Sequence, residues 1–228
     1  MTMRKPIVQH LLAGKVTKVG NRDATNPMDK EWESGMFKEK THEKLWLTKT
    51  GLSGDEVADT KNHGGLQKAI FAYPIEHYDY WRMERNIEKI HIGGMGENLA
   101  TLHLDEQSIC IGDTYQFGET IIQVSQPRTP CWKPARRFRS KDLTLQIQDT
   151  GRTGWYFRVL KEGFVQEGEE LILLERPHPE WTVAVCNEIM FHKNECDLMI
   201  MEKLVDCELL SESWKGPLRK RLVKAKEA

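Results

Sequence analysis

The chain has 228 residues, enough to bury a full hydrophobic core as one large domain or as a large one with a small companion. Its 33 basic and 34 acidic side chains leave a formal charge of −1, so no global field draws it to nucleic acid or to an anionic membrane. Hydrophobic residues at 39% and charged residues at 29% match a soluble globular protein.

At the N-terminus, MTMRKPIVQHLLAGKV has too short an apolar run for a secretory signal and lacks a small-residue cleavage site. No stretch reaches the roughly 18 apolar residues of a membrane helix. Five widely spaced cysteines (Cys110, Cys131, Cys186, Cys196 and Cys207) include no CxxC pair, which points to reduced thiols and a cytoplasmic location. Next comes a grammar of short strands. GKVTKV (14–19) alternates around Val16, and LWLTKTGLSGDEVAD (45–59) reads as a strand followed by glycine turns.

KNHGGLQKA (61–69) then gathers Lys61, His63, Gly64, Gly65 and Lys68 into a compact cationic group on flexible backbone. Such a group suits an anion, because glycines let backbone N–H groups approach closely while lysines supply the counter-charge. A turn between two strands with solvated lysines would look the same, and the spacing is not that of a Walker loop. KAIFAY (68–73) is a buried-strand run, and YPIEHYDYWRMERN is a helix with Pro74 in its first turn. HIGGMGENLA (91–100) offers three glycines and Asn98, a side chain with both donor and acceptor, in what is either an anion nest or a hairpin loop.

IGDTYQFGETIIQVSQ (111–126) reads as two strands turning at Gly118–Glu119. SQPRTPCWKPARRF (125–138) follows, with Cys131 in a loop framed by Pro130 and Pro134 and accompanied by Arg128, Lys133, Arg136 and Arg137. Cations favour the thiolate, the form that attacks or ligates a metal, although a small buried hydrophobe is the ordinary role of a cysteine. SKDLTLQIQDTG reads as a two-turn helix closed by Gly151, and 155–176 as further strands with turns at Glu162–Gly163 and Glu167–Gly168. Many short strands with glycine turns indicate a sandwich or closed barrel.

Two prolines in RPHPEW (176–181) mark a boundary, after which three short helices are expected, with Asn194 and Ser211 as caps. The domain division is therefore 1–176 and 177–228. His192 and Cys196 are four apart, but a helix break at Asn194 argues for core or surface roles rather than a metal pair. Cys110, Cys186, Cys196 and Cys207 sit at apolar positions and read as structural. The basic tail RKRLVKAKEA belongs to a unit (179–228) with eight basic and nine acidic side chains, which argues against nucleic acid.

The blocks KNHGGLQKAIFAYPIEHYDYW, GGMGENLATLHL, CIGDTYQFGETIIQVSQPRTPCWK and TGRTGWYFRVLKEG, in this order, resemble the MOSC family and its YiiM-type members. The likeness covers about residues 45 to 175, and the helical end is similar to the three-α unit that follows MOSC in such proteins. The resemblance implies a mainly β fold, a closed β-barrel of the pyruvate-kinase type with a few short helices and a C-terminal three-helix unit. It also implies a pterin-based molybdenum cofactor with Cys131 as metal ligand, and reduction of N-hydroxylated compounds, such as hydroxylaminopurine base analogues, to amines. On that reading Cys131 and His63 carry the chemistry, with His63 as proton donor. Lys61, Gly64, Gly65, Lys68, Asn98 and Arg128 bind the cofactor. No flavin, nicotinamide or iron–sulfur signature occurs, so electrons are expected from a separate reductase. Two other readings use the same segments: a sulfur carrier with a Cys131 persulfide, and a non-catalytic binding module.

Overall fold

The computed structural model describes residues 4–192 and 198–227. In chain order the strands are β1 (Ile7–Ala13), β2 (Thr17–Val19), β3 (Trp32–Ser34), β4 (Glu39–Thr41), β5 (Leu45–Thr48), β6 (Gly51–Leu52), β7 (Ile70–Pro74), β8 (Leu99–Leu102), β9 (Thr114–Phe117), β10 (Thr120–Pro127), β11 (Trp155–Lys161), β12 (Gly163–Val165) and β13 (Leu171–Glu175). The helices are α1 (Glu76–Met83), α2 (Trp132–Arg137), α3 (Leu143–Thr150), α4 (Val183–Phe191), α5 (Leu198–Asp206) and α6 (Glu212–Lys226).

One eight-stranded sheet, ordered β13-β9-β10-β11-β7-β8-β1-β4, dominates the fold. It curls until β13 returns to β1: Ile7 bridges Glu170, and Leu171 N–H donates to the Pro6 carbonyl. Register shifts in β1 and at two points along β10–β11 supply the local twist that curling needs. The one parallel pair of this sheet, β7 with β8, is joined through α1 as a crossover.

Alternation along the strands divides the apolar residues between two cores. On β7, Ile70 and Ala72 face the barrel interior, while Phe71 and Tyr73 join a second cluster under α1 and α3 with Tyr78, Trp81 and Ile147. On β11, Trp155 and Phe157 go inward and Tyr156 outward. Gly151, at φ +65°, closes α3 as its spacing predicts, because a left-handed cap suits glycine.

The helical end does not form a core of its own. Cys186, Met201, Leu204 and Trp214 share the barrel's interior cluster. Backbone bonds seal the junction: Val183 N–H to the Ile109 carbonyl, and Ser211 N–H to the Ser125 carbonyl. Ser211 stands at the N-cap of α6 as expected, but its hydroxyl donates to Gln126 Oε1 at 2.5 Å rather than capping the helix. Cys110, Cys186 and Cys207 are buried, and Cys110 forms an isolated bridge with Thr182 instead of lying in a regular strand. Asn194 and Cys196 lie outside the described residues.

This shared core yields a prediction. Trp214→Ala opens a cavity under both parts and should cost about 3–5 kcal/mol. Urea unfolding followed by near- and far-ultraviolet circular dichroism should show one transition moved to lower denaturant. A split transition, or an unmoved barrel signal, would contradict a common core.

Candidate functional site

A cavity of about 750 Å³, counting its open mouth, lies on the outer face of the curled sheet rather than in the barrel interior. Phe71 and Tyr156, the outward residues of β7 and β11, line its base. Around them stand the segments 34–36, 55–59, 63–64 and 95–98, with Arg128, Cys131 and Lys133 on the stretch leaving β10. Close backbone crossings shape these walls. A Cβ on Gly35 would lie 1.9 Å from the Glu56 carbonyl oxygen, and one on Gly96, at φ +85°, would lie 2.9 Å from Met36 Cβ.

Cys131 ends the short irregular stretch 128–131 that leaves β10. It is the N-cap residue of α2, with Trp132 as the first helical residue and Pro134 inside the first turn. Proline is tolerated there because that N–H has no partner within the helix. Burial pushes the Cys131 thiol up. The His63 hydrogen bond, the Arg128 charge and the Lys133 backbone amide outweigh burial and lower it to about 7. Burial raises Cys110 to about 11 and pushes Cys186 well up too. Cys131 is thus the thiol poised to ionise among the described cysteines.

Arg128 is the most unusual charge at the site. It is only 5% exposed and has no carboxylate within ion-pairing distance among the described residues. One nitrogen, Nη2, reaches the Met95 carbonyl at 3.5 Å, and the guanidinium lies 5.0 Å from the Phe71 ring centre. Nη1 makes no hydrogen bond, although the guanidinium acts on the Cys131 thiol and opposes the rise that burial gives the Tyr156 hydroxyl. A buried charge without a carboxylate partner is only partly compensated by a neighbouring thiol and hydroxyl, so a group of this kind is expected to meet an anion.

The remaining expected residues divide. Gly64 lines the cavity at φ +73°, and Lys68 lines it with Nζ donating to the Asn62 carbonyl; burial lowers its pKa. His63 faces the cavity with Nδ1 unpartnered, 3.6 Å from Asp59 Oδ2. Asn98 lines the cavity too, but its amide is occupied. Nδ2 donates to the Leu12 carbonyl and Asp55 Oδ2, and Oδ1 accepts from the Phe71 N–H. It therefore holds the wall rather than offering free donors inward. Lys61 and Gly65 are exposed and lie outside the cavity lining. Arg136 and Arg137 are also turned away from Cys131. The first donates to the Met28 and Lys30 carbonyls, the second to those of Met36 and Gly93, because short helix α2 points them at the 28–37 segment.

Reading by segment missed Lys38, Asp55, Asp59 and Tyr156, all of which line the cavity. Lys38 and Asp55 form a nearly buried pair, and the Asp55 carboxylate also accepts from the Gly14 N–H. Burial pulls the Lys38 pKa down against the attraction of Asp55. These residues stand far from Cys131 in sequence and carry no local motif, so only the chain path brings them together.

The thiol environment predicts a pH profile. Alkylation of Cys131 by iodoacetamide, followed by peptide mass spectrometry, should rise with a midpoint near pH 7 because the thiolate is the reacting form. His63→Ala should move the midpoint upward. A wild-type midpoint at 9 or above would refute the assigned environment.

The sequence pattern of the MOSC domain matches residues 59–172, and that of the YiiM-like 3-alpha helix domain matches residues 181–225. The uncharacterized protein YflK of Bacillus subtilis (strain 168) is 40% identical over 192 residues, covering 84% of this chain and 86% of that protein. A Gibberella moniliformis (strain M3125 / FGSC 7600) protein named Reductase is 33% identical over 196 residues, 85% of this chain but only 34% of that longer protein. The crystal structure of YiiM from Geobacillus stearothermophilus superposes with a TM-score of 0.77 at 32% identity, over 95% of this chain and 99% of that one. MOSC domains are associated with molybdenum cofactor binding, and an outer-face cavity holding a low-pKa thiol beside an unpaired buried guanidinium accords with that association. By its barrel, its matched blocks and its helical end, the chain belongs to the MOSC family, with a YiiM-like three-helix domain.

Proposed function

We propose that this chain binds a pterin-based molybdenum cofactor in the outer-face cavity, with Cys131 as the protein's thiolate ligand, and reduces N-hydroxylated compounds to amines. The observation that carries this reading is the buried Arg128 guanidinium, whose Nη1 lacks a partner beside a thiol lowered to about 7. Together they present a fixed cation for an anionic group and a soft sulfur donor for a metal, the two ends such a cofactor requires. Among the described residues no group of three or more His, Cys, Asp or Glu forms a metal cage, so one thiolate meeting a metal that arrives in its own chelate is the arrangement that fits.

When bound, the cofactor supplies two-electron oxygen-atom exchange: the N–OH compound, two electrons and two protons give the amine and water. The chain's own residues do the rest. Arg128 and Lys133, which have no ion pair among the described residues, neutralise the anionic part, with Lys68 at the cavity wall. Gly64 and Gly96 keep backbone close to the ligand, and Phe71 and Tyr156 exclude water from beneath it. His63, hydrogen-bonded to Cys131, stands where an imidazole could relay a proton to the leaving oxygen. Lys61 and Gly65, at the exposed end of their loop, take no part in this proposal. Electrons come from a separate reductase, and the protein works in the cytoplasm; no helix among the described residues is long and apolar enough to cross a membrane. A persulfide carrier would use the same thiolate. The orphaned guanidinium favours a larger anionic ligand than one sulfur atom.

Metal content tests the proposal. Protein made in a cofactor-producing host should contain near-stoichiometric molybdenum by elemental mass spectrometry. The metal should fall at least severalfold in Cys131→Ser and in Arg128→Ala. With an electron donor, the loaded protein should convert N-hydroxylated purines to amines. Equal, negligible metal in all three proteins would overturn it.

A further inference from the structure

The helical end touches β10 where the second register shift of that strand falls. Val124 pairs with Phe157 and Gln126 with Tyr156, so Ser125 is the extra residue of a bulge just before Arg128. The Ser125 carbonyl accepts the Ser211 N–H at 3.0 Å. Its hydroxyl donates to the carbonyl of Gln67, the neighbour of Lys68, and lies 3.1 Å from the carbonyl of Tyr156. Gln126 is only 2% exposed, and its Oε1 accepts from the Ser211 hydroxyl at 2.5 Å and the Ser213 hydroxyl at 2.7 Å. Across from this strand end, the Arg128 N–H donates to the Gly154 carbonyl at 3.0 Å. The loop that carries Gly154 is held from α4: Asn187 Nδ2 donates to the Gly151 carbonyl and to Thr153 Oγ1, both at 2.9 Å.

We propose that the helical end is a positioning element of the site: Ser211, Ser213 and Asn187 hold the backbone on both sides of Arg128 and thereby keep its guanidinium at the cavity. Three points carry this. A serine at an N-cap ordinarily accepts an N–H of its own first turn, yet Ser211 turns its hydroxyl to Gln126 and leaves α6 without a side-chain cap. Bulges beside binding sites re-aim side chains, and this one interrupts pairing on the strand that leads into Arg128. The Arg128 side chain has one long hydrogen bond and a ring contact to fix it, so its place depends on the backbone that carries it. Apolar contacts already join the helices to the barrel interior, whereas these polar bonds reach the stretch that forms the outer-face site.

That Arg128 meets the cofactor rests on the proposed function, whereas its placement can be read on metal-free protein. In full-length protein from a host that makes no cofactor, alkylation of Cys131 by iodoacetamide near pH 7 reports whether the Arg128 charge is in place. The double variant Ser211→Ala/Ser213→Ala and the single variant Asn187→Ala should each slow it roughly two- to fivefold, as should Arg128→Ala. Added to Arg128→Ala, either should slow it no further, because both act through that one side chain. Leu222→Ala loosens α6 in the shared core but takes no part in the bonds to β10. It should lower the melting temperature and keep the wild-type rate. From a cofactor-producing host, the serine and asparagine variants should carry severalfold less molybdenum, and Leu222→Ala the wild-type amount. A wild-type alkylation rate in either positioning variant would overturn the role. So would undiminished slowing in the Arg128→Ala background, or equal slowing in Leu222→Ala. If the alkylation pattern holds but wild-type protein gains no molybdenum, the proposed function fails and the positioning stands.

Discussion

A buried guanidinium without a carboxylate is the constraint around which the rest of the molecule is organised. Arg128 is held by the end of β10, where its N–H donates to the Gly154 carbonyl and its side chain crosses the Phe71 ring. Two other inward charges of the described residues are neutralised by a partner. Lys38 has Asp55, and Asp113 has Arg176. Arg128 alone among these keeps a free nitrogen toward a cavity, and that cavity also holds the most acidic thiol of the described chain. Elsewhere in a fold such an arrangement would be destabilising; at a binding site it is what an anionic ligand completes.

The barrel's contribution is rigidity. A curled sheet closed at the Ile7–Glu170 bridge fixes β7, β10 and β11 relative to one another. Their outward residues and the stretch after β10 then form a platform that loops can surround. The walls are knit by bonds that never face the ligand, chiefly Asn98 to Asp55, Leu12 and Phe71. The helical end shares the interior core, so it stabilises the barrel directly whatever else it does.

Much of this was legible in the sequence, for identifiable reasons. The hairpin about Gly118–Glu119 and the helix closed by Gly151 carry their own turn or cap chemistry, and the terminal helices show in their apolar stripes. Ordered blocks carried the family. Less visible was β1: IVQHLLA has no clear alternation, because β1 bulges between Val8 and His10 and buries both Leu11 and Leu12. The basic context of Cys131 was only half right. Arg128 and Lys133 face the cavity, while α2, too short to announce itself, turns Arg136 and Arg137 onto carbonyls. Asn98 could be read as a polar residue near glycines, but not as one whose donors were already taken. Lys38 and Asp55 lacked any local signal, since their pairing depends on where the chain crosses itself.

The measurement that bears most directly on the central claim is an anomalous difference map recorded at the molybdenum absorption edge, from crystals of protein grown in a cofactor-producing host. The account predicts a single strong peak at bonding distance from the Cys131 sulfur, with electron density of the organic chelate extending toward Arg128. A peak bound elsewhere on the chain, or a metal-loaded protein whose cavity beside Arg128 stays clear, would contradict it.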